Sequence, residues 1–251
     1  IEKTQAFEQG IAFILGLNPG ALGLYRLSGG TLSVNPVNFS FNNGECVGYF
    51  GSSDFTQTGG SNLTNMLSLG CKLGASGTYI LTGTGSLSMP LGSVLAVGLA
   101  GSGTFNQTGG ISTIYQLSLG ENDASFGAYS LSGNGALNAS YEFIGESGGG
   151  TFSQTGGANT IQYWMVTGYN VQGTYILSGG SLSAKQEMLG YRGMANFTQY
   201  GGTNIIQSGS GNELDLAYNA GASAIYTLYG GALIVNANLY VGGSSGGPGG
   251  C

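Results

Sequence analysis

A catalytic or binding site in this chain has to be built from eleven carboxylates, fifteen tyrosines and three cysteines, because the sequence contains no histidine. Without an imidazole, Ser-His-Asp and Cys-His nucleophile systems are excluded, as are His-based zinc sites. Clustered carboxylates remain a route to polysaccharide cleavage, and they are also oxygen ligands for Ca²⁺. Most of the eleven are scattered, but Glu121 and Glu146 each follow a glycine, Gly120 and Gly145, that closes a repeating unit, with Asp123 close by. Carboxylates at one position of consecutive units repel unless protonated or bridged by a cation. Glu121, Asp123 and Glu146 therefore read as a solvated acidic patch, with a weak cation site as the sharper alternative. The Asp-containing, glycine-rich nonapeptide of Ca²⁺-binding β-rolls is absent.

In the same register, the next three units place Tyr169, Tyr191 and Tyr218 at one outward position. Such a line can stack to stiffen the surface, dock a partner, or stack sugar rings, which makes it the candidate binding surface. Three cysteines are an odd number, so at least one is free or bonds another chain. Cys251, ending the glycine-rich stretch Gly242 to Gly250, is the candidate inter-subunit link. Cys46 and Cys71 lie in neighbouring units at positions three residues apart by the glycine register. Measured along a straight strand that is roughly 10 Å, which predicts no disulfide between them. Asn-x-Ser/Thr sequons at Asn38, Asn62, Asn106, Asn138 and Asn196 are expected by chance in a chain this rich in Asn, Ser and Thr.

The units that carry these residues are a repeat. An aromatic marks each copy, at Tyr25, Phe55, Tyr79, Phe105, Tyr129, Phe152, Tyr175, Phe197 and Tyr226. Tyr and Phe alternate without exception. Two residues on, the same face carries Leu27, Gln57, Leu81, Gln107, Leu131, Gln154, Leu177, Gln199 and Leu228, alternating Leu with Gln. Mostly polar residues lie between, the period-2 signature of a half-buried strand. A Ser/Thr-Gly-Gly turn follows, lengthened by one residue at Gly83-Thr84-Gly85 and Gly133-Asn134-Gly135. A second short strand puts Leu32, Asn62, Leu87, Ser112, Leu137, Asn159, Leu182, Asn204 and Leu233 inward, and a third ends on an apolar residue before the closing glycine.

Three short strands in about 24 residues cannot bury an apolar face alone, but they can by stacking coil on coil. The expected fold is an all-β, parallel β-solenoid (β-helix) of about nine coils over residues 23 to 242, roughly 40 Å long and right-handed by the general preference for right-handed crossovers. Residues 1 to 22 read as an N-terminal cap or docking arm, with Thr4 to Leu15 as a short amphipathic helix stopped at Asn18-Pro19-Gly20, or as an extended arm reaching a neighbour. Residues 243 to 251 form a glycine-rich tail. Inside the coils, Gln57 with Asn62, Gln154 with Asn159 and Gln199 with Asn204 straddle the Gly-Gly turn and are expected to tie it. Gln107 faces Ser112 and is expected to use turn backbone instead.

Composition narrows the function. Charged residues are only 6% of the chain, glycine supplies 51 positions, and the net charge is −6. There is no basic surface for phosphates, so nucleic acid is not expected as a partner. Ile11 to Leu17 is too short an apolar run for a membrane span, and no signal peptide is evident.

The motif Gly-Thr-Tyr/Phe-x-Leu/Gln-Ser/Thr-Gly-Gly resembles the glycine-rich β-strand repeats of bacterial surface and secreted proteins of the autotransporter-passenger and exosortase-sorted kind, over roughly residues 23 to 242. The resemblance implies export, a β-helical stalk, and a role in adhesion, matrix or cell-surface structure. The expected function is thus a non-enzymatic extracellular or cell-surface structural protein that assembles end to end with itself, needing no cofactor. The alternative is an adhesion module that binds surface glycans through the tyrosine line.

Overall fold

The computed structural model of the chain describes residues 11–34 and 44–243. Every regular element among them is a strand, and the strands stack in parallel as a β-solenoid. Each coil has three faces. On the first, Leu22–Leu27, Ser52–Gln57, Ser76–Leu81 and their successors up to Ser223–Leu228 form nine rungs joined by eight parallel pairings. The second face runs from Thr31–Val34 to Ala232–Val235, and the third from Ile11–Leu15 to Asn238–Val241. The strand Gly149–Thr167 wraps around all three faces of its coil and stays paired on each.

Register is kept from rung to rung, so equivalent side chains lie over one another. The aromatic markers make a continuous column inside the solenoid. From Phe55 to Tyr226 the ring centroids are 4.5 to 4.9 Å apart and the planes within 10° of parallel. The column is fully buried from Phe55 to Phe197. Face-to-face rings are not the preferred geometry of an isolated aromatic pair. The ladder imposes it, because the rise between paired strands leaves each ring one thickness of space. The longer turns leave this register intact, since Leu81 and Ser86 pair with Gln107 and Ile111 although one segment is a residue longer.

Corners make the closed coil affordable in space. At the end of the third face the chain turns on a residue with positive φ, such as Gly98 at +76°. A Cβ there would stand 2.2 Å from the carbonyl oxygen of Phe126 in a coil above, so glycine is required by conformation and by space alike. Ala217 takes the same corner at φ +60°.

Two expectations are corrected. The helix expected over Thr4 to Leu15 is not formed at Ile11–Leu15, which is a strand paired with Gly44–Val47 and adds a tenth rung to the third face. Its closing pair, Leu15-Gly16, is the same apolar-glycine signature that ends most later coils, and Gly16 has the same positive φ. Phe13 closes the foot of the aromatic column, its ring edge-on to Tyr25 at 5.1 Å. Residues 1 to 10 lie outside the described residues.

The second correction concerns Cys46 and Cys71, which form a disulfide with Cα atoms 6.4 Å apart. The straight-strand distance fails because Gly70, at φ +65°, turns the chain between Ser68, the register partner of Cys46, and Cys71. Both cysteines pack with Ala96 and Leu99 in a small apolar cluster separate from the main core.

The column predicts its own sensitivity. Replacing Phe105, at the middle of the stack, by Ala should cost about 3–5 kcal/mol in urea unfolding. Reducing the disulfide should cost about 3 kcal/mol, since it closes a loop of 25 residues in the unfolded chain. A Phe105→Ala protein as stable as the parent would refute the column as the centre of the core.

Candidate functional site: an outer groove and a buried polar column

On the third face, residues alternate between the core and the outside, so each rung offers one outward residue just before its corner and another just after it. In the upper half of the solenoid these outward positions form a groove of about 240 Å³. Its floor is Phe143, Val166 and Met188, one from each of three consecutive rungs. One wall is Tyr169, Tyr191 and Tyr218, and the other is Trp164 and Gln186.

The tyrosine line expected from the sequence is therefore present, and it lines this groove. Its geometry differs from a sugar-stacking platform. Tyr169 and Tyr191 stack face to face at 5.1 Å with planes 3° apart, and Tyr191 meets Tyr218 at 5.2 Å. Ring faces are thus spent on one another, and Arg192 covers Tyr191 at 5.4 Å. What the wall offers is ring edges and hydroxyls. Trp164, about half exposed, touches Tyr141 edge-on, and Tyr141 in turn stacks on Tyr163, continuing the aromatic surface around the corner.

Below the tyrosines on the same corner line lie Glu121 and Glu146, which the fold does bring together. Ser118 donates a hydrogen bond to Glu146 Oε2, and burial, followed by the adjacent Glu121 carboxylate, pushes Glu146 up to about 7. Asp123 is exposed and does not complete a cluster with them. Among the described residues, no group of three or more His, Cys, Asp or Glu side chains is placed to hold a metal ion. On the rung of Tyr218 a second acidic pair stands, unnoticed in the sequence. Gln186 Nε2 donates to Glu213 Oε1 at 2.8 Å and to Asp215 Oδ2 at 3.3 Å, and burial raises Asp215 to about 7. Cys251 lies outside the described residues.

The most regular polar feature is inside. Glu45, Glu142 and Glu187 point into the core and are completely buried. Each accepts a hydrogen bond at Oε2 from the Asn seventeen residues later: Asn62 at 2.8 Å, Asn159 at 3.2 Å and Asn204 at 3.0 Å. The same Asn reaches the hydroxyl of the next column tyrosine, at 3.2 Å for Tyr79. That hydroxyl donates to a Gln of the coil below, at 2.6 Å for Tyr79 to Gln57 and for Tyr175 to Gln154. Each Gln then donates to a turn carbonyl of its own coil and to a carbonyl of the next, as Gln57 does to Gly60 and Ser86, both at 3.0 Å.

The expected tie between Gln and Asn across one turn is corrected accordingly. All four glutamines hold turn backbone, as expected for Gln107 alone, and the asparagines serve the glutamates and tyrosines. Gln107 itself also accepts a bond from Ser112. In its coil, Ser112 stands where the other three have Asn, and seventeen residues earlier Leu95 stands where they have Glu. Glutamate and asparagine are lost together because neither can be buried without the other.

Burial favours the protonated acid form of those glutamates. Burial raises Glu45 and Glu142 to about 8 and Glu187 to about 7, against the opposing pull of the asparagine bond. In each pair Glu Oε1 and Asn Oδ1 are both buried with no other partner. Two acceptors cannot satisfy each other, but a protonated carboxyl can donate from Oε1 to the amide oxygen and close an acid–amide ring.

Comparison with known proteins adds no relative: no family model, no curated protein and no solved structure matches the chain. No helix among the described residues is long and apolar enough to cross a membrane.

The pH dependence follows by linkage. Above about 4.5, where an ordinary glutamate ionises, the unfolded chain has released protons that the folded chain holds until pH 7 to 8. This contribution to stability is complete below pH 4.5 and is lost as the pH rises through 8. Thermal unfolding should show a falling Tm from pH 5 to pH 9. Replacing Glu45, Glu142 and Glu187 by Gln, which preserves the pairing as amide–amide, should leave Tm at pH 5 nearly unchanged and raise it at pH 9. Parallel Tm profiles for the two proteins would show that these side chains are not protonated in the fold.

Proposed function

We propose that this protein is an extracellular or cell-surface structural solenoid, a rod segment of a stalk, matrix or fibre that lengthens by adding rung upon rung. The observation that carries this reading is the last described rung. Leu228 and Val241, 50% and 76% exposed, occupy core positions whose counterparts Leu177 and Leu189 are fully buried. Such a rung has to be covered, and another rung would satisfy its backbone groups and bury its side chains at once. More solenoid in the same chain and a second copy both extend the same rod.

Three features support the setting. The Cys46–Cys71 disulfide suits an oxidising compartment. The repeat motif resembles that of exported surface proteins. With no histidine and the three core glutamates committed to asparagine, the chain invests in architecture rather than catalysis. A second reading, a glycan-binding adhesion module, is favoured by the outer groove.

Negative-stain microscopy and light scattering across a wide concentration range test the first reading. Nine rungs make a unit of about 40 Å, and rods should appear in multiples of that length, shortened by Leu239→Asp with Val241→Asp. A particle that stays monomeric at every concentration would overturn end-to-end assembly.

A further inference from the structure

Resting on the second reading, we propose that the third-face groove binds an unbranched, uncharged polysaccharide chain laid parallel to the solenoid axis.

Shape sets the direction. Lining residues come from four consecutive rungs, Phe143 on the first and Tyr218 on the last, so the groove runs along the axis for about 15 Å at the spacing of paired strands. It therefore takes a linear ligand. A peptide strand has nothing to pair with here, because the strands flooring the groove already bond the rungs above and below them. The ligand has to be held by side chains alone.

Lining chemistry sets the class. Val166, Met188 and Phe143 give an apolar floor, and the wall residues give hydroxyl and amide groups at its edges. A pyranose ring has that same division, with C–H groups on its faces and hydroxyls around its rim. Gln186 commits its N–H groups to Glu213 and Asp215, which leaves its carbonyl oxygen to accept from a ligand hydroxyl. Trp164 is exposed enough to present ring surface to a sugar.

Charge excludes the alternatives. Lys185 stands 5.0 Å from the centre of the Tyr163 ring and Arg192 5.4 Å from that of Tyr191, so two of the five basic residues flank the groove. The side chains that line the groove itself are all uncharged. A polycation meets the basic rim, and a charged polymer of either sign would lose hydration against an uncharged lining, whereas an uncharged chain meets neither penalty.

Affinity electrophoresis and calorimetry would use three classes of probe: the neutral polymers glucan, galactan and mannan, the anionic polygalacturonate, and cationic chitosan oligomers. At least one neutral polymer should be retained. Trp164→Ala and Gln186→Ala should each weaken it by tenfold or more, while Tyr229→Ser, on an exposed stack away from the groove, should not change it. Tyr191→Phe, which removes one hydroxyl and keeps the ring stack, should weaken it by a smaller factor, and unfolding curves would confirm that all four variants are folded. Retention of a charged polymer alone would overturn the uncharged class while leaving glycan adhesion standing. Neutral retention unaffected by the groove variants would overturn the site. Retention of no polymer would overturn both.

Discussion

Parallel strands that keep register along the first face, and shift it mainly at the corners, are the constraint from which the rest of this molecule follows. When every rung lies directly over the last, each side chain is forced into contact with its counterpart one strand spacing away, and no residue can choose other neighbours. Aromatic rings respond well, since a flat ring fills that spacing and stacks at 4.5 to 4.9 Å along the buried column. Polar groups respond badly, because identical acceptors stacked on one another cannot bond. The closed coil also depends on corners that a Cβ would block, as at Gly98.

Alternation of two coil types resolves the polar problem. A tyrosine hydroxyl is one donor, and the coil beneath it supplies a glutamine oxygen to receive it. That glutamine's N–H groups then hold carbonyls in two successive coils. The glutamate–asparagine pairs extend the same logic sideways, from the second face to the third. The coil of Gln107 shows that the network is modular: with Leu95 and Ser112 in place of the acid and the amide, the tyrosine–glutamine link persists alone.

The outer surface obeys the same ladder with different consequences. Lines of outward residues inherit axial regularity from the core, so a change of residue type along one line becomes a change of surface chemistry along the rod. The corner line passes from disulfide and leucine to paired glutamates and then to stacked tyrosines. A groove with an uncharged lining and basic flanks arises at the last of these transitions without any departure from the fold.

Architecture was legible in the sequence because periodicity is a one-dimensional signal. The aromatic column, the Leu/Gln alternation, the inward line through Asn62 and the lengthened turns all appear as spacings, and the strand at Ile11–Leu15 could have been found by the Leu15-Gly16 signature. Glu45, Glu142 and Glu187 were also within reach, each three residues before a closing corner glycine. What spacing could not supply was the partner of a side chain. The seventeen-residue step from glutamate to asparagine crosses a coil boundary and a change of face, so it has no meaning until the coil is closed. Cys46 and Cys71 look too far apart until Gly70 turns the chain, and the tyrosine line looks like a platform until its ring faces are seen to be occupied by one another. Sequence alone determined which residues share a line along the rod, because strand alternation and repeat length are local properties. Only the tertiary structure decided which lines touch, because that depends on the angles of the corners.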